Sequence, residues 1–239
     1  MRLFESEFCL FCHAELEPET TWHSLFWKVE EESVCPACRG KMIKIEGETC
    51  QICSRPFNTV DVSYQDGEVC LDCRRWEEDP DWSGCLSQNI SLYVYNDFLK
   101  EIIARYKFRG DYILARGFSG DIKKVLSKFS IDFLVPIPLS SERQYERGFN
   151  QAEALILEAG IQPAHLLTRL HTEKQSKKSR SERIHLPQVF QIGKDAAAVA
   201  GKIVLLIDDI YTTGSTLRHA AKVLKDAGAT KILSLTLAR

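Results

Sequence analysis

Long hydrophobic runs are missing from this chain: no apolar stretch approaches the roughly 18 residues that a membrane-spanning helix needs. An export signal is missing too, since MRLFESEFCL carries glutamates where such a signal has a basic start and an apolar core. The expectation is a cytoplasmic protein without a membrane span. Net charge is scarce, only −2 over 239 residues. Cysteine is absent from the whole chain after Cys85. Whatever the cysteines do, they do it in the N-terminal third.

The small net charge hides an asymmetry. Residues 1–85 carry 8 Lys and Arg against 18 Asp and Glu, whereas residues 86–239 carry 23 against 15. The field that attracts anions therefore belongs to the C-terminal part. Eight of the nine cysteines form four Cys-x-x-Cys pairs, CLFC, CPAC, CQIC and CLDC, and only Cys85 stands alone. In a chain without an export signal, a pair at this spacing offers two thiolates to one tetrahedral Zn²⁺ rather than a disulfide. The spacings C-x2-C-x22-C-x2-C and C-x2-C-x16-C-x2-C suit two closed structural sites. They predict one zinc on Cys9, Cys12, Cys35 and Cys38, and another on Cys50, Cys53, Cys70 and Cys73, with interleaved pairing as the alternative. Closed sites supply shape rather than catalysis. Between the first two pairs, TWHSLFWKVE reads as the small core of this module.

Asp, Pro, Gly and Ser cluster in EEDPDWSGCLSQN, residues 77–89, which places a boundary between a zinc-binding module at 1–85 and a second domain at 86–239. Cys85 falls in this linker. Downstream, helical and extended patterns alternate. SLYVY reads as a strand, and NDFLKEIIARYKF as a helix with Phe98, Leu99, Ile102, Ile103 and Tyr106 on one stripe, Lys100 and Lys107 outside it. DYILARGFSGDIKKVLSKF is helical with an interruption near Gly117 and Gly120. DFLVPIP is a buried strand, and NQAEALILEAG a helix capped by Asn150 and stopped by Gly160. LLTRL and KIVLLID are strands, STLRHAAKVLKDAG a helix stopped by Gly228, and KILSLTLAR the last strand. This alternation predicts an α/β domain with parallel strands.

In such sheets ligands bind beyond the carboxyl ends of the strands. KIVLLID delivers Asp208 and Asp209 to that place, and Thr212, Thr213, Gly214, Ser215 and Thr216 then lead into a helix N-terminus, whose free N–H groups favour a phosphate. Two carboxylates beside a phosphate cradle would repel a bare phosphate. They suit the vicinal hydroxyls of a sugar, or a Mg²⁺ bridging them, so a ribose 5-phosphate unit satisfies both halves.

LLIDDIYTTGSTL resembles the phosphoribosyl-pyrophosphate (PRPP) signature of type I phosphoribosyltransferases. The chain as a whole resembles the ComF family in its Cys pairs, NDFLKEIIARYKFRGD, VPIPLSSERQYERGFNQA and EKQSKKSRSER. The resemblance implies a type I phosphoribosyltransferase-like parallel-sheet domain behind a Cys-rich zinc module. It also implies that Asp208 and Asp209 bind the ribose hydroxyls, directly or through Mg²⁺, and that Thr212 to Thr216 hold the 5-phosphate. The loop Leu139 to Arg143 takes the place of the family's pyrophosphate loop, with Arg143 and Arg147 as candidates for that charge. Lys107, Arg109 and Gly110 form a further basic cluster.

HTEKQSKKSRSER, residues 171–183, lacks apolar periodicity and reads as a mobile loop. Its Lys174, Lys177, Lys178, Arg180 and Arg183 suit either pyrophosphate or the backbone of single-stranded DNA. The resemblance implies a role in natural transformation: single-stranded DNA handled in the cytoplasm beside the competence helicase ComFA, with PRPP or a related phosphate bound. An active Mg-dependent phosphoribosyltransferase acting on an amine or base is the alternative. No acceptor site and no catalytic residue can be read from the sequence.

Overall fold

The computed structural model describes residues 7–16, 33–170, 189–193 and 196–239. In the N-terminal third, β1 (Glu7–Phe8) pairs with β2 (Glu15–Leu16), α1 spans Pro36–Lys41, β3 (Gln65–Asp66) pairs with β4 (Val69–Cys70), and α2 spans Leu71–Glu78. From Gln88 the elements are β5 (Gln88–Tyr93), α3 (Asp97–Phe108), a 3-10 segment (Tyr112–Phe118), α4 (Ser119–Leu126), β6 (Phe133–Pro136), α5 (Ser141–Arg147) and α6 (Gln151–Glu158). They continue with β7 (Leu167–Arg169), β8 (Phe190–Ile192), β9 (Ile203–Ile210), α7 (Ser215–Asp226) and β10 (Lys231–Ala238). Among the described residues no helix is long and apolar enough to cross a membrane.

A four-stranded parallel sheet in the order β5-β10-β9-β6 carries the C-terminal part. Its central strands are covered on both faces, which is why they read as continuous apolar runs. Leu205 and Ile207 of β9 join Leu99, Ile102, Ile103 and Tyr106 of α3 in one core, while Val204 and Leu206 join Leu217, Ala220, Ala221 and Leu224 of α7 in the other. Strand alternation thus divides two cores between the two faces. Helix boundaries follow local signals. Asn96 accepts from the Leu99 N–H at 2.9 Å and Asn150 from the Ala152 N–H at 2.9 Å, each capping a first turn. Gly160 and Gly228 take the left-handed backbone after α6 and α7.

Three expectations change. LLTRL is not part of the parallel sheet: β7 pairs antiparallel with β8 in a separate two-stranded sheet. Leu167 is buried, Thr168 exposed and Arg169 half-buried, the alternation of a strand covered on one side only. The loop expected at Leu139 to Arg143 is shorter, because the Ser140 hydroxyl accepts from the Arg143 N–H and starts α5 at Ser141. Finally, Cys85 is no loose linker residue. It is 4% exposed and packs with Leu86 into the core beneath α7.

The cysteine-rich part lies against the sheet rather than apart from it. Residues 43–45 run antiparallel to the edge strand β5, with Ile45 N–H donating to Leu92 O at 3.0 Å and Val94 N–H to Ile43 O at 2.8 Å. Asn89 N–H donates to Ile52 O at 2.6 Å. These contacts satisfy an edge that would otherwise be open to another chain. On the α3 face, Phe11 packs on Phe98 and Phe118, and Arg105 donates to Phe11 O at 2.6 Å. TWHSLFWKVE lies outside the described residues.

Candidate functional site

β9 ends in the two carboxylates. Asp209 points toward α3 and is 6% exposed, and its Oδ2 lies 2.8 Å from Lys107 Nζ. Asp208 accepts the Asp209 N–H on Oδ1 at 2.9 Å. Burial, and then the charge of Asp209, push the Asp208 carboxyl up to about 7. Two adjacent carboxylates of which one holds a proton near neutrality suit a ligand that brings either a cation or hydroxyl donors.

The loop from Tyr211 to Ser215 turns directly into α7. Gly214 has φ +77°, and a Cβ there would run into the Tyr211 hydroxyl. Only glycine fits this turn against that ring. Thr212 and Thr216 are exposed, Thr213 and Ser215 half-buried, and Ser215 N–H donates to Thr213 Oγ1 at 3.4 Å. The N-terminal amides of the twelve-residue α7 open beside the acidic pair, an arrangement suited to a phosphate monoester next to a diol.

Basic groups gather on the same side. Arg147 lies within the field of Asp209, Arg143 and Asp208, and donates to Gln151 Oε1 at 2.9 Å. Arg169 of β7 lies in the field of Arg143 and Asp208. Burial lowers the pKa of both Arg147 and Arg169, and the like charge of Arg143 adds to it. Cations held together in this way gain from a polyanion between them. Arg109 is exposed just beyond α3. Lys174, Lys177, Lys178, Arg180 and Arg183 lie outside the described residues.

The eight paired cysteines form two groups, Cys9, Cys12, Cys35, Cys38 and Cys50, Cys53, Cys70, Cys73, each with its sulfurs within 4.8 Å of one another. First pair joins second, and third joins fourth; interleaving does not occur. Each group can hold a metal such as zinc. In the second group the neighbouring sulfurs of Cys53, Cys70 and Cys73 hold the Cys50 thiol far below the ordinary range, while Cys73 is pushed far up, and the Cys70 N–H donates to Cys50 Sγ at 3.2 Å. Four sulfurs sharing protons so unequally are the set that a divalent ion binds with proton release. The surroundings fit the charge of such a centre. Arg55 and Arg218 feel the charges of Cys70 and Cys73, and Arg239 acts on Cys53. Arg218 Nε and Nη2 and Arg239 Nε and Nη1 are buried and have no hydrogen-bond partner among the described residues. Four thiolates around a divalent cation carry two negative charges, a counterpart for these buried cations.

α2 joins this group to the phosphate loop. Cys70 stands at its start and Cys73 in its first turn. One turn on, Trp76 donates its indole N–H to Thr213 O at 3.2 Å, and Glu77 pairs at 2.8 Å with Arg218, which is fully buried on α7. Lys222 and Lys225 of α7 donate to Asp81 O and Ser83 O at 2.7 and 3.1 Å.

Sequence reasoning missed Trp76, Glu77, Arg169, Tyr211 and Arg218. Only Arg218 carried a signal, a charge on the helix face that packs inward. Arg169 sat in what read as a sheet strand, Glu77 in what read as a linker, and Trp76 just before it at the end of the cysteine module. Their roles come from partners distant in the chain.

The phosphoribosyl transferase domain model matches residues 145–239, which include β9, the loop and α7. Competence protein ComFC of Bacillus subtilis is 42% identical over 97% of this chain and 94% of its own length. Competence protein ComFC of Streptococcus pneumoniae is 34% identical over 97% of this chain and 99% of its own, and DNA utilization protein YhgH of Escherichia coli 23% identical over 86% and 96%. A shared phosphoribosyl transferase domain would not by itself extend likeness through the cysteine pairs, and with the relatives matched almost end to end the chain belongs to the ComFC family of competence proteins.

Proposed function

We propose that the protein serves natural transformation by handling incoming single-stranded DNA in the cytoplasm beside the competence helicase ComFA, with PRPP or a related ribose phosphate at the β9–α7 loop. The observation that carries the ligand reading is the placement of Asp208 and Asp209 directly before a glycine turn and a helix N-terminus. Thr212, Thr213, Gly214, Ser215 and Thr216 cradle the 5-phosphate. Asp208 and Asp209 take the ribose hydroxyls, and Lys107, Arg143, Arg147 and Arg169 face the pyrophosphate. Mg²⁺, when bound, carries part of the pyrophosphate charge. The cysteine groups hold structural zinc. The names of the relatives, competence protein and DNA utilization protein, support the cellular role.

Phosphoribosyl transfer is the second reading, favoured by the cations gathered around Asp208. In that reaction the C1–oxygen bond to pyrophosphate breaks, an acceptor nitrogen forms the new bond at C1, and that nitrogen loses its proton. The chain's contribution would be stabilisation of the departing charge by Arg143 and Arg147.

Calorimetry of PRPP with Mg²⁺, on wild type and on Asp208→Ala/Asp209→Ala, tests the ligand. Binding should be lost in the double variant; equal affinity would remove the site assignment. The same variant in a transformation assay separates the two readings. Unimpaired transformation, with pyrophosphate release from PRPP by the wild type in the presence of an amine, would favour the enzyme.

A further inference from the structure

Arg147 lies in the field of Asp209, Asp208 and Glu146, and Arg143 acts against them. Among the described residues none of these carboxylates pairs with it directly. Asp209 is paired with Lys107, and Arg147 Nη1 donates instead to the amide oxygen of Gln151 at 2.9 Å. That amide is enclosed: Gln151, the first residue of α6, is 2% exposed. Its backbone carbonyl accepts from the Tyr106 hydroxyl at 2.7 Å, which ties α6 to α3 one residue before Lys107. No residue of α5 is buried, so the core does not locate its last residue, Arg147. The contacts that do are the Gln151 amide and the Phe108 ring, whose centre lies 5.8 Å from the guanidinium.

The amide has a cost that a carboxylate would avoid. A guanidinium only donates, so the Gln151 oxygen must face Arg147 and its nitrogen must turn away. Gln151 Nε2 is buried there with no hydrogen-bond partner among the described residues, and a buried donor left unmet is destabilising. Glutamate in its place would leave no donor unmet and would grip Arg147 harder through a charge-assisted pair. It would also cancel the charge of Arg147. A neutral amide fixes the guanidinium and leaves that charge whole. We infer that Gln151 is a positioning residue: it holds Arg147, still fully charged, at the edge of the acidic pair, where a pyrophosphate group meets it. This rests on the reading of PRPP as the ligand of the β9–α7 loop, and it assigns the residue that sets the pyrophosphate end of that site.

Calorimetry in Mg²⁺ with two probes, PRPP and ribose 5-phosphate, tests this on wild type, Gln151→Met, Gln151→Glu, Arg147→Ala and the double variant Arg147→Ala/Gln151→Met. Methionine keeps the length of the side chain and removes the acceptor. Gln151→Met should weaken PRPP about tenfold, the worth of one hydrogen bond to a charged group. Ribose 5-phosphate should bind it as it binds wild type, because that probe has no pyrophosphate, and this also shows that the variant folds. Gln151→Glu keeps the acceptor and should weaken PRPP more than Gln151→Met does, since the new charge offsets that of Arg147. It carries the test alone if the methionine variant does not fold. In the Arg147→Ala background, Gln151→Met should change PRPP affinity no further, because a residue that acts through another has no effect once that other is gone.

Wild-type PRPP affinity in either Gln151 variant overturns the inference. Equal losses for PRPP and ribose 5-phosphate would do the same, since Gln151 would then serve the site as a whole and not its pyrophosphate end. Additive losses in the double variant would show that Gln151 does not act through Arg147. No binding of PRPP by wild type would remove the ligand reading itself, an outcome distinct from a positioning role that fails alone.

Discussion

Lys107, near the end of α3, places Nζ 2.8 Å from Oδ2 of Asp209 on β9, so a helix and the central strand are tied at the carboxylate expected to meet the ligand. Asp209 is 6% exposed, and a carboxylate so enclosed loses hydration that only a partner restores. In the ligand-free protein Lys107 is that partner. Lys107→Met should destabilise it by about 1–3 kcal/mol in urea unfolding, discounted from a fully buried pair because water reaches the rim. Adding Asp209→Asn should recover most of the loss. Independent, additive losses would show that the pair is not coupled.

Asp208 supplies a pH dependence. Its carboxyl is held up at about 7 by burial and by Asp209, above the ordinary value of about 3.9. Between these two pH values the folded protein keeps a proton that the unfolded chain releases. The stability from this group is therefore complete below about pH 4 and falls as pH rises to about 7. Asp208→Asn should flatten the melting profile over that window and raise the ligand-free Tm at pH 8. A profile as steep as wild type would remove Asp208 as its source. PRPP affinity in the wild type should rise from pH 6 to pH 8 as the carboxyl ionises.

Metal at the second cysteine group should be felt at the phosphate loop, because α2 carries Cys73 in one turn and the Trp76 donor to Thr213 O in the next. Trp76→Phe removes one hydrogen bond and should weaken PRPP binding about three- to tenfold. Cys73→Ser should weaken it further and lower the metal content from two ions per chain to one. Unchanged PRPP affinity in metal-depleted, still folded protein would break the link between the cysteine group and the loop.

Gly214→Ala tests the turn itself. The backbone there is left-handed, with φ +77°, and the added methyl meets the Tyr211 hydroxyl. The variant should lose at least about 1 kcal/mol and a large share of its phosphate affinity. A variant with wild-type melting and binding would show that the turn relaxes freely.

Much of the α/β part was legible because its signals are local. Asn150 announced its helix, Gly160 and Gly228 ended theirs, and the apolar run of β9 could only be a strand covered on both faces. The cysteine spacings were legible in the same way, except for which pair joins which. β7 was misplaced because three residues of ordinary strand composition do not tell which sheet they join. Glu77 was lost in a linker reading, since acidic composition and a nearby proline look alike in a loop and in a short helix docked on another, and Trp76 beside it carried no signal of a distant partner.

What the sequence by itself determined is the order of chemistry along β9 and its loop: two carboxylates, a turn only glycine can make, and a helix start, all within one short segment whose backbone periodicity places them. Tertiary structure alone decided what surrounds that segment. Lys107 at Asp209, Arg218 fully buried beside Glu77, Trp76 on Thr213 and Arg169 in the field of Asp208 join residues far apart in the chain. Such contacts depend on how helices and strands pack against one another, and neither spacing nor propensity carries that information.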